Sequence, residues 1–230
     1  MTAVLAAGCA GGAVLAIVVL GLRRRLDLVA RAEHELRAPA TAFLLAVERM
    51  RRDPAGRRHA AALESELERL QVALADLSAA RRGRRAAPRP RSLDLQRAAR
   101  GSVAAWRSAL ERGGRSTAVR WHAPGTVARA DPGRMAQALG NLLANAAEHG
   151  QGPTELVAKP APAGVVIEVT TAGAKHGVRG RDRGRGLPIA AAAARDLGGR
   201  MTVERGDGRF TARLELPLGE ERGPGGRAAA

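Results

Sequence analysis

The sequence has no tyrosine, two phenylalanines, two tryptophans and a single cysteine, Cys9. One cysteine excludes an internal disulfide, so the fold must rest on its own core. Lysine is scarce too: Lys159 and Lys175 are the only two, and arginine carries the formal charge of +16. Such a surplus ordinarily points to nucleic acid, but stacking bases needs aromatic platforms that this chain lacks. Enrichment in arginine, alanine and glycine without tyrosine reads as GC-biased codon usage. The charge is therefore set aside as a functional signal, and nucleic acid is not an expected partner. The 230 residues, 45% of them hydrophobic, suffice for one ordinary core or two small ones and exclude a disordered chain.

Charge is missing altogether from Thr2 to Leu22, a length that as a helix spans about 30 Å, the thickness of a bilayer's hydrocarbon core. The expectation is a single membrane pass. Arg23, Arg24 and Arg25 follow at once, which places the body of the chain on the cytoplasmic side with a residue or two outside. A cleaved signal peptide is the competing reading, but its basic residues precede the apolar run instead of following it. Gly8 and Gly12 have the spacing that lets two such helices approach closely.

From Leu26 the pattern turns helical. Leu36, Ala40, Phe43, Val47 and Met50 recur at steps of four and three. After the turn-forming Asp53-Pro54-Ala55-Gly56, the rhythm resumes at Leu63, Leu67, Leu70, Leu74 and Leu77. A hairpin with such a seam is expected to pair with a second copy as a four-helix bundle, a homodimer. The alternative is a hairpin packed on the domain that follows.

Within the first helix stands "RAEHELRAPATAF" (31–43). His34 falls two residues before the seam position Leu36, so its imidazole is expected to face outward. Glu35 can accept a proton from one ring nitrogen and make the other a better nucleophile. Pro39 has no amide to return to the carbonyl of Glu35 and bends the helix just past the histidine. A zinc reading fails, because the metal motif needs histidine where Ala38 stands. The segment resembles the phosphoacceptor box of bacterial sensor histidine kinases at His34, Glu35, Leu36, Arg37, Pro39 and Thr41. The resemblance implies that His34, Glu35, Arg37 and Thr41 form the catalytic box, with His34 phosphorylated, Glu35 its general base and Pro39 a signal-coupling bend. Ala38 departs from the family's threonine or asparagine, which positions a water for dephosphorylating the partner regulator.

"RRGRRAAPRPRS" (81–92) reads as a linker in which like charges repel and proline stiffens. Beyond it the expected elements are a helix over 93–112, a strand pair around "TAVRWHA" and "TVARA", and a helix over 131–149. Strands near 154–159 and 164–170, a helix over 187–197 and strands over 201–205 and 209–216 follow. The last strand alternates, with Phe210, Ala212, Leu214 and Leu216 on one face, and Gly198-Gly199 ends the helix before it. The pattern predicts an α+β fold, a two-layer α/β sandwich.

In "DPGRMAQALGNLLANAAEHG" (131–150), Asp131 is placed to cap a helix that carries Asn141, Asn145 and His149 down one face. Amide oxygens four residues apart can meet hydrated magnesium and phosphate, although asparagines on a helix are also ordinary solvated residues. In "GRGLPIAAAAARDLGGRMTVERGDGRFTARLELP" (184–217), Gly184 and Gly186 let backbone approach an anion at a helix start. The two stretches, in this order, resemble the N box and late glycine box of GHKL-type, Bergerat-like ATPase domains of histidine kinases. The resemblance implies ATP and Mg2+ as cofactors, with Asn145 on the metal. It also places Asn141, His149, Thr171, Gly173, Gly184, Gly186 and Leu187 around the nucleotide. "VTTAGAK" puts Thr171 where the family has the aspartate that bonds adenine, and Lys175 replaces a glycine. Glu148 replaces a lysine and Pro188 another glycine. Asp182 is the alternative adenine acid.

The expected organisation is an anchor over 1–25, a phosphoacceptor hairpin over 26–81, a linker over 82–92, an ATP-binding domain over 93–218 and a disordered tail over 219–230. The expected function is that of a histidine kinase anchored in the cell inner membrane. It would phosphorylate His34 from ATP and pass the phosphate to an aspartate on a response regulator. Two alternatives are a histidine phosphotransfer protein or scaffold with a vestigial ATPase domain, and an arginine-rich binder of anionic lipid or nucleic acid.

Overall fold

The computed structural model describes residues 19–21, 26–27, 29–32, 35–36, 39–53, 56–81, 83–84, 86–173 and 186–218. His34, Arg37, Ala38, Lys175, Asp182 and Gly184 lie outside the described residues, as do the tail 219–230 and most of the charge-free stretch. Among the described residues no helix is long and apolar enough to cross a membrane.

Residues 39–52 form helix α1, and Arg57–Ala80 form α2. Between them the Gly56 amide donates to the Asp53 carbonyl (3.1 Å). Then follow β1 (Arg91–Asp94), α3 (Leu95–Leu110), β2 (Thr117–Trp121), β3 (Val127–Ala130), α4 (Pro132–His149), β4 (Thr154–Ala161) and β5 (Gly164–Ala172). The last elements are α5 (Gly186–Asp196), β6 (Arg200–Gly206) and β7 (Arg209–Pro217). The expected helices and the four later strands thus stand within about two residues of their sequence-based bounds.

Five strands make one sheet in the order β2-β4-β5-β7-β6, antiparallel except where β2 runs parallel to β4. The expected pairing of "TAVRWHA" with "TVARA" does not form. β3 instead pairs antiparallel with β1, Leu93 opposite Ala128, so Arg91 and Ser92 of the expected linker are strand. The reason lies in the helix between: parallel strands need a crossover, and α4 supplies it from β2 to β4. Helices α3, α4 and α5 cover one sheet face. Leu139, Leu142 and Leu143 of α4 meet Leu156, Ile167, Val169 and Leu214 in a single core. Phe210, Ala212, Leu214 and Leu216 are all buried, as the alternation of β7 required. The other sheet face is covered by ion pairs, among them Arg120 with Glu155 (2.8 Å), Arg213 with Glu168 (2.8 Å) and Arg200 with Glu215 (2.7 Å).

α2 adds a third layer by packing across α3 and α4. Glycine makes this approach feasible. A Cβ on Gly133 would lie 2.2 Å from Val72 Cγ2, and one on Gly101 would lie 2.8 Å from the Ala61 carbonyl. Ser65 and Ser102 meet across the same contact, their hydroxyls 3.0 Å apart and buried. The leucine seam therefore divides. Leu67 is buried with Val47 and Ala60 between α1 and α2, and Leu74 is buried as well. Leu63, Leu70 and Leu77 are exposed, as are Leu36, Phe43 and Met50. A 3.6-residue period turns residues 63, 70 and 77 well away from the face that carries Val72 and Asp76.

Candidate functional site

The site is organised by α4. The Asp131 carboxylate accepts the Gly133 and Arg134 amides (2.9 and 3.1 Å), and Pro132 occupies the first helical position where no amide is needed. The Arg89 amide donates to the other oxygen of the same carboxylate (2.6 Å), which fastens the linker to the helix start.

Down this helix, Asn141 Nδ2 donates to the Gln137 carbonyl (2.7 Å). Its Oδ1 turns toward the first residue of α5: a Cβ on Gly186 would lie 3.6 Å from it. The structure thus brings one expected asparagine to the N-terminus of α5, where free amides and the helix dipole favour an anion. Asn145, one turn on, is half-buried and forms no hydrogen bond among the described residues. Its amide is free for a ligand. His149 ends the helix, its Nε2 3.9 Å from Glu148 Oε2. Leu187 packs against the core beside these residues. Gly184 lies outside the described residues.

Thr171 is buried at the end of β5. It is only 1% exposed, and its hydroxyl lies 3.4 Å from that of Thr154, its register partner on β4. Its methyl fills the space where a side chain on Gly150 would stand, 2.2 Å away. Gly173 is fixed by backbone: φ is +68°, a Cβ there would meet Gln151 Cβ at 2.7 Å, and its amide donates to the Gly208 carbonyl (2.7 Å). Glycine suits the chain turn at the strand end.

No group of three or more His, Cys, Asp or Glu suited to a metal ion occurs among the described residues. A divalent ion at this face would be held by amide oxygen and by phosphate oxygens of its ligand, which suits hard Mg2+. Of the phosphoacceptor box, Glu35, Leu36, Pro39 and Thr41 are described, all exposed and helical.

The sequence pattern passed over Arg134, which stands in the first turn of α4 and is buried among carboxylates. Its ion-pair partners, Asp76 and Asp196, are 58 and 62 residues away in the chain, and no local spacing links them.

No family model matches the sequence, and no curated protein matches it. Solved structures do match. The catalytic domain of histidine kinase ThkA, in a nucleotide-free form, is 17% identical with a TM-score of 0.50, over 56% of this chain and 97% of that one. Histidine kinase AdeS of Acinetobacter baumannii is 14% identical with a TM-score of 0.52, over 81% of this chain and 98% of that one. The fold is that of a histidine kinase. Full-length ShkA in complex with AMPPNP is 22% identical with a TM-score of 0.52, over 84% of this chain and 46% of that one. The AdeS and ShkA matches cover more of this chain than the ThkA catalytic domain does, so they include helical residues before the sheet.

Proposed function

We propose that this chain is a homodimeric histidine kinase of a two-component system, anchored in the inner membrane by residues 2–22. A ring nitrogen of His34 attacks the γ-phosphorus of ATP, the bond to the ADP oxygen breaks, and the displaced ring proton is held by Glu35. The phosphoryl group then passes to an aspartate of a response regulator. Magnesium, when bound, neutralises the phosphate oxygens. The protein's part is to hold it through Asn145, to seat the phosphates at the N-terminus of α5 beside Asn141, and to bring His34 within reach. The observation that carries this reading is the meeting of the Asn141 side chain with Gly186 at the start of α5.

Pairing with a second copy is supported by the exposed apolar residues. Leu36, Phe43 and Met50 on the first hairpin helix and Leu63, Leu70 and Leu77 on α2 recur at seven-residue steps, the seam of a helical bundle.

A second reading, a phosphotransfer protein or scaffold, is favoured by Thr171. A neutral hydroxyl, buried and turned to Thr154, supplies no anionic acceptor for an adenine amino group. The loss is about 1 kcal/mol, or several-fold in affinity. Calorimetry with ATP and GTP, with and without Mg2+, separates the two. The kinase reading expects Mg2+-dependent binding that discriminates poorly between the bases and falls further in Asn145→Ala. No binding at millimolar nucleotide leaves the phosphotransfer reading, in which His34 is labelled only by a phosphorylated partner.

A further inference from the structure

The loop over 150–152, which follows α4, laps the end of β5. The Gln151 and Gly152 amides both donate to the Ala172 carbonyl (3.1 and 3.0 Å). The β-carbon of Gln151 packs on the turn at Gly173, where a Cβ would lie 2.7 Å from it. Arg115 fastens the start of the loop, Nη1 donating to the Gly150 carbonyl (2.6 Å) and Nη2 to the Ala109 carbonyl near the end of α3 (2.9 Å). Gln151 is therefore an exposed residue on an anchored backbone.

Helix α4 sets the distance from this loop to the phosphate end of the site. From Asn141, beside Gly186, to His149 it rises about 12 Å. An extended nucleoside triphosphate has a similar reach from its outer phosphates to its base, so phosphates at the N-terminus of α5 bring the base to the end of α4. Most polar side chains there are already engaged. The Thr171 hydroxyl is turned to Thr154 (3.4 Å), Arg115 is spent on carbonyls, and His149 Nε2 stands 3.9 Å from Glu148. Gln151 Nε2 makes a long bond of 3.3 Å to the Gly150 carbonyl, which already accepts Arg115, and Oε1 accepts nothing among the described residues. Turning this carboxamide to a ligand leaves no buried group unpaired.

We propose that Gln151 reads the base of the bound nucleotide and that its carboxamide accepts a purine of either kind. Against adenine, Oε1 accepts from the amino group and Nε2 donates to the ring nitrogen beside it. Turned over, Nε2 donates to the guanine carbonyl oxygen and Oε1 accepts from the neighbouring ring N–H. A carboxylate has no such exchange, because it only accepts. The ligand class is then a purine nucleoside triphosphate, not ATP alone. The assignment rests on the nucleotide reading above, and it gives that site a base-reading side chain that Thr171 does not supply.

Calorimetry on the full chain with Mg-ATP, Mg-GTP and Mg-tripolyphosphate tests this in the parent, in Gln151→Ala and in Gln151→Glu. The parent should bind ATP and GTP with similar affinity. Gln151→Ala should weaken both several-fold, the loss of two neutral hydrogen bonds, and leave tripolyphosphate as it was. Gln151→Glu should bind GTP several-fold more tightly than ATP: guanine offers its ring N–H and amino group to the two carboxylate oxygens, while the bare ring nitrogen of adenine repels one of them. Unchanged ATP and GTP affinities in both variants would overturn the role of Gln151 and leave the nucleotide reading standing. An equal loss for tripolyphosphate in Gln151→Ala would also overturn it, since the base contact would then not be what was removed. Binding of none of the three by the parent would instead refute the nucleotide reading, and this assignment with it.

Discussion

At position 171 the side chain expected at the nucleotide is buried in the sheet domain. Thr171 matches its buried surroundings: the methyl packs at Gly150 and the hydroxyl pairs with Thr154. An aspartate there would sit in the same dry space, with the Thr154 hydroxyl as a donor and a purine amino group as a second partner. Thr171→Asp is therefore expected to lower the stability of the empty protein by about 1–3 kcal/mol, the cost of a poorly satisfied buried polar group. It should at the same time raise the preference for ATP over GTP. Urea denaturation with and without each nucleotide measures both effects, and a variant as stable as the parent with no gain in selectivity would contradict the placement. Arg115 serves the fold. It donates to the carbonyls of Ala109 (2.9 Å) and Gly150 (2.6 Å) and so ties the ends of α3 and α4 together. Its composition class, one arginine among many, gave no sign of this.

At the scale of elements, α2 packs closely on α3 and α4, with glycine at both close approaches. A cavity of about 200 Å3 lies between α2, the linker and the start of α4, lined among others by Glu68, Arg89, Arg91, Asp131 and Arg134. Desolvation outweighs the Arg91 guanidinium and pushes the Glu68 carboxyl up to about 7 from an ordinary 4.5, with Glu64 and Asp131 adding to the rise. A group whose proton is held more tightly in the folded state opposes folding once the unfolded chain ionises. Below pH 4.5 both states keep the proton and Glu68 costs nothing. From 4.5 to 7 the cost grows, and above 7 it is complete, roughly 3 kcal/mol at most. Stability of the docked chain should therefore fall as pH rises through this window, and Glu68→Gln should remove that part of the slope. Urea midpoints at pH 5 and 7.5 test it, and parallel slopes in both proteins would contradict it.

At the scale of the whole molecule, the division of the leucines separates folding from association. Leu67 is buried inside the hairpin with Val47 and Ala60, whereas Leu70 is 38% exposed and Leu63 and Leu77 accompany it. Leu67→Asp buries a charge with no partner and should destabilise the fold by several kcal/mol. Leu70→Asp should leave the fold intact and convert a dimer to monomer. Sedimentation together with thermal unfolding distinguishes the two, and a Leu70→Asp protein that stays dimeric would remove the exposed stripe as the seam.

Local chemistry is what the sequence alone determined. The Asp131 cap, the alternation of β7, the turn at Gly198-Gly199 and the asparagines at a four-residue step are all set by neighbours a few positions apart, and each is found where the pattern placed it. The resemblance in two ordered motifs also carried the fold class. Tertiary structure decided what depends on partners distant in the chain. The pairing of β3 with β1, the burial of Thr171 against Thr154 and the split of one leucine seam into inner and outer faces are of this kind. So is the capture of Arg134 by Asp76 and Asp196. The physical reason is common to all four: a side chain's periodicity says which way it points, but whether it meets core, solvent or a counter-charge depends on which element arrives from elsewhere to cover it.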